Sequence, residues 1–592
     1  RTTLRERAGG NPFFIEEAVA ALAEAGDIRG VAGDYHPART EPRLVLPDSV
    51  QALLGARIDR LPRRDKQLLQ AAAVVGKRFV LAWLAALDDL GEDERAAAVS
   101  ALEASGFIAP VNPAGTEYEF CHPLLQEVTH GMQLAQTRRS RHGRLAAHLA
   151  VDCPDPRQAG ERASLIAHHW ELAGVPAEAA RWQLGVASWA AQRDVDASLQ
   201  AFRKALTLVG EEPDTPAARE AAVAASSGIL RVASLLPVPA DEAARAYERG
   251  LRLGDGPARA ELAISNASRL LVHGDARTSL AAAREGVALA DGDTDLLGRF
   301  RIPVLMACFA AGELAEGESL LSDAGDADWI DGPVTLDNAA SRALLAIQRA
   351  YRGQLDRAAL DLEACGELLA ADGRRISWLV ANQVEVAFLR GEAGDSREQA
   401  ARAVAWAEES GSGTFREVAQ RALAMAHILA GEWQAAVRIL DNGRDLVKAG
   451  APAHQFLSLH LSLLAQARYR AGDPQAGLDD ARTALDVAEH AGSAVWALRA
   501  RLVVAELSLG SGDEAAVPAL LDQVAAGIEQ TDARLFAAEL ALLRGDYSAR
   551  AGDGAAARDW WRTAARRWQD SGAPVRAAAA RRRTADDLLQ EA

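Results

Sequence analysis

Residues 414–442 read TFREVAQRALAMAHILAGEWQAAVRILDN. Phe415, Val418, Ala419 and Ala422 fall at i, i+3, i+4 and i+7, one stripe along a helix. After Gly431-Glu432 the pattern restarts with Trp433, Ala436, Val437 and Leu440. Glycine supplies the left-handed residue that ends the first helix. The acidic residue favours the next N-terminus, as a cap when it is Asp or through the helix macrodipole when it is Glu. Two antiparallel helices follow, and neither can bury its stripe alone.

The same device returns at Gly274-Asp275, Gly312-Glu313, Gly353-Gln354, Gly394-Asp395, Gly472-Asp473, Gly512-Asp513 and Gly552-Asp553, every 37 to 41 residues. At Gly472-Asp473-Pro474 a proline is pre-set for the first helical position. A fixed period of this size means one supersecondary unit stacked many times. Such arrays present surface to partners and rarely perform chemistry. His168-His169-Trp170, Pro176-Ala177-Glu178-Ala179 and Ala197-Ser198-Leu199 carry the pattern back to about residue 157, with residues 211–256 less regular. The array resembles tetratricopeptide-type helical hairpins, but its period is near 40 and it lacks their Trp-Leu-Gly-Tyr signature. The expectation is an all-α fold, a right-handed superhelix of about eleven hairpins over 157–592.

Composition agrees. At 592 residues the chain is too long for one core, which a stack of repeats circumvents. Apolar residues are 49%, dominated by Ala and Leu, with only 5% aromatic, which suits close helix packing. A net charge of −17 argues against a general nucleic-acid grip. Basic runs such as Arg138-Arg139-Ser140-Arg141 and Arg581-Arg582-Arg583 read first as solvated helix faces. Cys121, Cys153, Cys308 and Cys365 are scattered without metal-ligand spacing and read as free thiols of a reducing, cytoplasmic compartment. No apolar run reaches the roughly 20 residues that cross a bilayer, and no signal peptide opens the chain. The first residue is Arg1, inside a helix-rich module, and the expectation is a truncated N-terminus.

Residues 1–156 lack the period. A helix is expected over 12–25, a small hairpin from Ile28 to Tyr35 turning at Gly33-Asp34, and a helix begun by Pro47-Asp48-Ser49. Helices follow at about 63–75, 79–88 and 92–105. Two short strands, Phe107–Val111 and Glu117–Phe120, flank Asn112-Pro113-Ala114-Gly115. After three helices these spell a winged helix with its wing, and His122 begins the next helix before another at about 137–152.

Gly10-Asn11-Pro12-Phe13-Phe14-Ile15-Glu16-Glu17 resembles the Gly-x-Pro segment that follows the nucleotide-binding core of STAND-class signalling ATPases. Ala56–Pro62, Leu69–Phe79 and Tyr118-x-Phe120-x-His122-Pro123-Leu124-x-Gln126-Glu127-Val128 are similar to the same family, in the same order. The resemblance covers residues 8–150 and is nearest to adenylate-cyclase-associated ATPases and large LuxR-type regulators; His130 stands where relatives often have Tyr. It implies domains at 1–46 (end of the ATPase module), 47–156 (winged helix) and 157–592 (repeat array). It implies too that Pro12, shaped by Gly10, packs on adenine and that His122 reaches the phosphates of ADP. On its own terms His122 equally caps a helix or fills a polar pocket, and Pro12 is a good first-turn residue.

The chain has no G-x-x-x-x-G-K-[ST]; Gly76-Lys77 is followed by Arg78. It is therefore not expected to act as an enzyme or to hold ATP or ADP alone. The upstream P-loop domain of a full-length parent would complete the nucleotide site. His168 and His169 are adjacent and diverge on a helix, so no metal is expected there. Trp560-Trp561 reads as one core knob and one surface aromatic. The functional expectation is the regulatory portion of a STAND-type ATPase, with a protein or small-molecule inducer on the concave face of the array. The alternatives are a stand-alone scaffold or part of a large LuxR-type transcription factor; membrane and nucleic-acid partners are not expected.

Overall fold

The structure, a computed structural model, describes residues 12–24, 26–31, 34–38, 49–191, 193–234, 236, 238–373, 376–410, 413–448 and 454–591. Gly10, Asn11, Gly33, Pro47 and Asp48 lie outside the described residues. The chain divides into two compact units, residues 1–221 and 222–592.

The first unit opens with α1 (Pro12–Glu24) and a two-stranded hairpin, β1 (Ile28–Val31) against β2 (Asp34–Pro37). α2 (Val50–Arg60) follows, capped by the Ser49 hydroxyl accepting from Ala52 N at 3.2 Å, and then α3 (Arg63–Val75). Next come β3 (Arg78–Val80), α4 (Leu81–Leu84), α5 (Glu92–Ala104), β4 (Ile108–Pro110) and β5 (Glu117–Phe120). The strands form an antiparallel sheet in the order β3-β5-β4. The helix expected over 79–88 is thus a strand followed by one helical turn. The cause is Phe79, which is buried opposite Tyr118 across the sheet, with ring centroids 6.1 Å apart, and 5.9 Å from Phe120.

α6 (Pro123–Gly131), α7 (Ala135–Val151), α8 (Arg162–Ala173), α9 (Pro176–Ala190) and α10 (Val195–Val209) complete this unit, and α11 (Pro216–Ala233) crosses into the second. One buried cluster runs from Leu54 and Ile58 through Leu102, Phe107 and Leu145 to Trp182, so packing is continuous across residue 157.

In the second unit, α12 (Ala240–Leu253) leads into hairpins. They are α13 (Gly256–Val272) with α14 (Ala276–Leu289), and α15 (Thr294–Ala311) with α16 (Glu316–Asp323) and the short α17 (Asp328–Asp331). Then follow α18 (Ala339–Tyr351) with α19 (Leu355–Ala371), α20 (Ser377–Arg390) with α21 (Ser396–Ser410), and α22 (Gly413–Leu429) with α23 (Trp433–Lys448). The last are α24 (Leu457–Arg470) with α25 (Pro474–His490), α26 (Ala494–Ser511) with α27 (Val517–Thr531), and α28 (Phe536–Arg550) with α29 (Gly554–Asp570), before α30 (Pro574–Glu591).

All eight glycines of the periodic pairs have positive φ. At Gly312 the turn closes with Glu313 N donating to Cys308 O at 2.8 Å, six residues spanned by one bond. Asp275, Asp473 and Asp553 cap their helices by accepting from Thr278, Ala476 and Ala556 N. At the fourth pair Gly391 (φ +81°) ends α20, and Gly394 sits nearer the next helix.

Hairpins five apart touch. Ala276 N donates to Ala491 O at 2.9 Å, Leu535 N to Tyr351 O at 3.1 Å and Leu355 N to Ser571 O at 3.0 Å. Arg576 at the start of α30 donates to Leu389 O and Phe388 O at the end of α20, at 2.6 and 2.7 Å. Hairpins well separated in sequence are therefore in direct contact within this unit.

Candidate functional site

The odd-numbered hairpin partners α13, α15 and the even-numbered α18, α20, α22, α24, α26, α28 and α30 share one feature: each sends residues into the interior of the second unit. On α15, Ile302, Leu305, Met306 and Phe309 are spaced 3, 1 and 3 residues apart, a second apolar stripe beside the one packed on its hairpin partner. Leu344, Ile347 and Gln348 of α18, Trp378, Asn382 and Glu385 of α20, and Val418 and Arg421 of α22 repeat the arrangement. With Phe456 and Trp496 they line an open chamber of about 350 Å³, within the range of small-molecule sites.

Its polar groups are few and buried. Arg421 is 3% exposed, with its guanidinium 4.5 Å from the centre of the Phe456 ring. Its Nη1 lies 3.6 Å from Glu417 Oε2 and makes no hydrogen bond. Glu417 also meets His460 Nδ1 at 3.2 Å, and His460 Nε2 meets Leu440 O at 2.6 Å. Burial pushes the Glu417 carboxyl up, but Arg421 and the His460 hydrogen bond pull harder and hold it below the usual range. Gln348 donates through Nε2 to Leu305 O at 2.6 Å, which leaves its Oε1 buried without a partner, as is Gln455 Oε1. Glu385 is engaged by the Tyr351 hydroxyl, which donates to Oε1 at 2.7 Å. Burial and then the Glu385 charge hold the Tyr351 hydroxyl well above its ordinary value, so it remains a donor.

Further along the coil a second chamber of about 730 Å³ is lined by charge and large aromatics, among them Tyr469, Arg470, Glu506, Asp546, Trp561 and Arg583. Its charges are largely paired. Arg499 donates to both oxygens of Glu539 at 2.7 and 2.9 Å and to Gln466 Oε1 at 2.8 Å; Arg470 meets Glu506 at 3.1 Å, and Arg583 pairs with Asp546. Tyr351 packs behind the wall of the first chamber. Its ring lies 5.2 Å from Phe309, 5.6 Å from Trp496 and 5.8 Å from Phe536.

The residues singled out by sequence fall elsewhere. Pro12 is exposed at the first turn of α1. His122 is the N-cap of α6: its Nδ1 accepts from Leu124 N at 3.1 Å. Two motif segments do meet, since Glu17 of α1 pairs with Arg57 of α2, whose Nη2 also donates to Ser105 O at 3.1 Å. His169 is buried and His168 exposed. His169 ends a file of rings in which its Nδ1 meets His142 Nδ1 at 3.0 Å, and His142 Nε2 meets His130 Nε2 at 3.2 Å. His142 spends both nitrogens on neighbours, so the file does not converge on one point. Trp561 is buried with its Nε1–H on Asp546 Oδ1, while Trp560 is half-buried beneath Arg544. Among the described residues no helix is long and apolar enough to cross a membrane.

The stacked hairpins make this a tetratricopeptide-like helical-repeat protein. No family model matches the sequence, and no curated protein matches it. Among solved structures the chain is similar to a Rap protein complexed with competence and sporulation factor (12% identity over 56% of this chain and 98% of that one, TM-score 0.39). It is similar to a STAND protein with a tetratricopeptide repeat sensor from Pyrococcus horikoshii (11% identity, 88% and 68% covered, TM-score 0.41). A third is NprR in complex with its cognate peptide NprX (12% identity, 55% and 98% covered, TM-score 0.37). At these values nothing about ligand or partner transfers to this chain.

Proposed function

We propose that this chain is the sensing and relay portion of a STAND-type signal-transduction ATPase of the cytoplasm. In this reading the repeats form a right-handed superhelix whose inner, concave face takes up an inducer. Residues 1–46 end the ATPase module, 47–156 are the winged helix, and 157–592 are the array. The chain is not itself an enzyme. ATP or ADP would be held mainly by a P-loop domain upstream, with Gly10, Pro12 and His122 contributing, and nucleic acid is not a partner.

One observation carries the reading: alternate helices of the array turn a second stripe of side chains inward, where they line two open chambers, the kind of concave surface on which a repeat stack takes up a partner. The sheet β3-β5-β4 beside α2, α3 and α5 supports the winged-helix assignment, and the Glu17–Arg57 pair supports packing of the Gly-x-Pro helix on that domain.

The test is nucleotide exchange in the parent protein. Release of a fluorescent ADP analogue is followed with the array present and with residues 222–592 deleted. Deletion is expected to change the release rate at least tenfold. Equal rates would defeat the coupling and favour a stand-alone scaffold.

A further inference from the structure

We infer that the apolar chamber of the second unit is a binding site for a small uncharged molecule with an apolar body and one hydroxyl or carbonyl group. This deepens the sensor reading and rests on it. The surface that an occupant meets belongs to the partly exposed side chains of the lining. Ile302, Met306 and Phe309 of α15, Leu344 of α18 and Trp378 of α20 are half-buried, and Phe415 of α22 is 37% exposed. An apolar body gains by leaving water for such a wall. The volume of about 350 Å³ lies near the lower end for small-molecule sites, which favours a compact occupant over a peptide segment.

The charged side chains of the same wall are shut behind it and engaged by the protein. Arg421 is 3% exposed and lies 3.6 Å from the Glu417 carboxylate; Glu385 is 7% exposed and accepts from the Tyr351 hydroxyl at 2.7 Å. A charged occupant would therefore lose its hydration and find no counter-ion in exchange, which selects against both anions and cations. One neutral polar group is open. Asn382 stands four residues after Trp378 and three before Glu385, on the same face of α20. It lines the chamber, is half-buried, and its side-chain amide makes no hydrogen bond among the described residues. A carboxamide offers donors and an acceptor without charge. It can meet a hydroxyl or a carbonyl on an otherwise apolar ligand, and it is the one group of this wall placed to do so.

2-Naphthol, naphthalene and 2-naphthoate serve as probes, titrated calorimetrically into the full chain at neutral pH, where the first two are uncharged and the third is an anion. 2-Naphthol is expected to bind at least tenfold tighter than 2-naphthoate, and about fivefold tighter than naphthalene through the hydrogen bond to the amide. In Asn382→Leu, naphthalene binding persists and the preference for 2-naphthol over naphthalene falls to about onefold. Met306→Trp, which fills the chamber from α15, weakens both at least tenfold and leaves Asn382 in place. 2-Naphthoate binding as tightly as 2-naphthol, no binding of any probe, a preference for 2-naphthol retained in Asn382→Leu, or binding undiminished in Met306→Trp would each overturn the assignment. Nucleotide release that still depends on the array would show in that event that only the ligand class had failed. Release indifferent to the array while the probes bind as expected would leave the site standing and defeat the coupling.

Discussion

Acidification should loosen the first unit through its histidine file. His142 and His169 are each 2% exposed. Burial first, and then the neighbouring His169, His130, His168 and Arg138, push His142 down to about 3; burial and His168 push His169 down to about 4. In the unfolded chain both titrate near 6.5. The folded state thus refuses protons that the unfolded state accepts. The associated stability is fully present above pH 6.5, falls as pH drops below it, and stops falling as the folded groups themselves titrate near 4 and 3. At pH 5.5 both folded rings are still neutral, so the loss depends only on the unfolded side: about 1.4 kcal/mol per ring and about 3 kcal/mol together. Hydrogen–deuterium exchange over α6, α7 and α8 at pH 7.5 and 5.5, corrected for intrinsic rates, measures it. The double variant His142→Phe, His169→Leu removes both titrations and is the reference. If wild type and variant lose the same protection on acidification, the file does not titrate as argued.

Three further outcomes follow from packing. Arg576→Ala removes two hydrogen bonds to α20 carbonyls and the stacking of the guanidinium on Phe388 and Trp568; urea unfolding should register a loss of about 2–4 kcal/mol. Gly286→Ala and Gly298→Ala should have opposite signs in the same assay. A Cβ at Gly286 would stand 2.6 Å from Ile264 Cγ1, whereas at Gly298 the nearest atom is 3.9 Å away, so overpacking costs about 1–3 kcal/mol at the first and helix propensity contributes about 0.5–1 kcal/mol at the second. Asp473→Ala loses the cap on Ala476 N and should lower stability by about 1 kcal/mol, seen as a lower urea midpoint.

The hairpin repeat was legible because its punctuation is local. A Gly with positive φ followed by a capping Asp needs only adjacent residues, and Gly472-Asp473-Pro474 carries the whole device. Return contacts between hairpins five apart were not legible, because residues such as Ala276 and Ala491 carry no mark of each other. Gly312 illustrates the difference. Its φ of +87° explains it as a helix stop, yet a Cβ there would also come within 2.6 Å of Ala494 Cβ. The chamber left a fainter trace. α15 is apolar around most of its circumference, from Leu296 through Phe309, which in a surface helix is one stripe too many. Arg421 follows Val418 by three residues and so shares its face, although the stripe read from the sequence ran through Ala419 and Ala422. The strand Arg78–Val80 was missed because three residues are too few for a period.

Tyr351 joins the two findings that sequence reading could not reach. Its hydroxyl holds Glu385 on the wall of the apolar chamber, its ring packs on Trp496 and Phe536, and its carbonyl accepts from Leu535 N, five hairpins further along. The wall of the chamber and this contact between distant hairpins are therefore one piece of packing. An occupant can shift the coil only by as much as it favours one arrangement of that piece over another. An occupant that displaces Trp496 would weigh directly on the Tyr351 contacts; one that bound without touching it would bind silently.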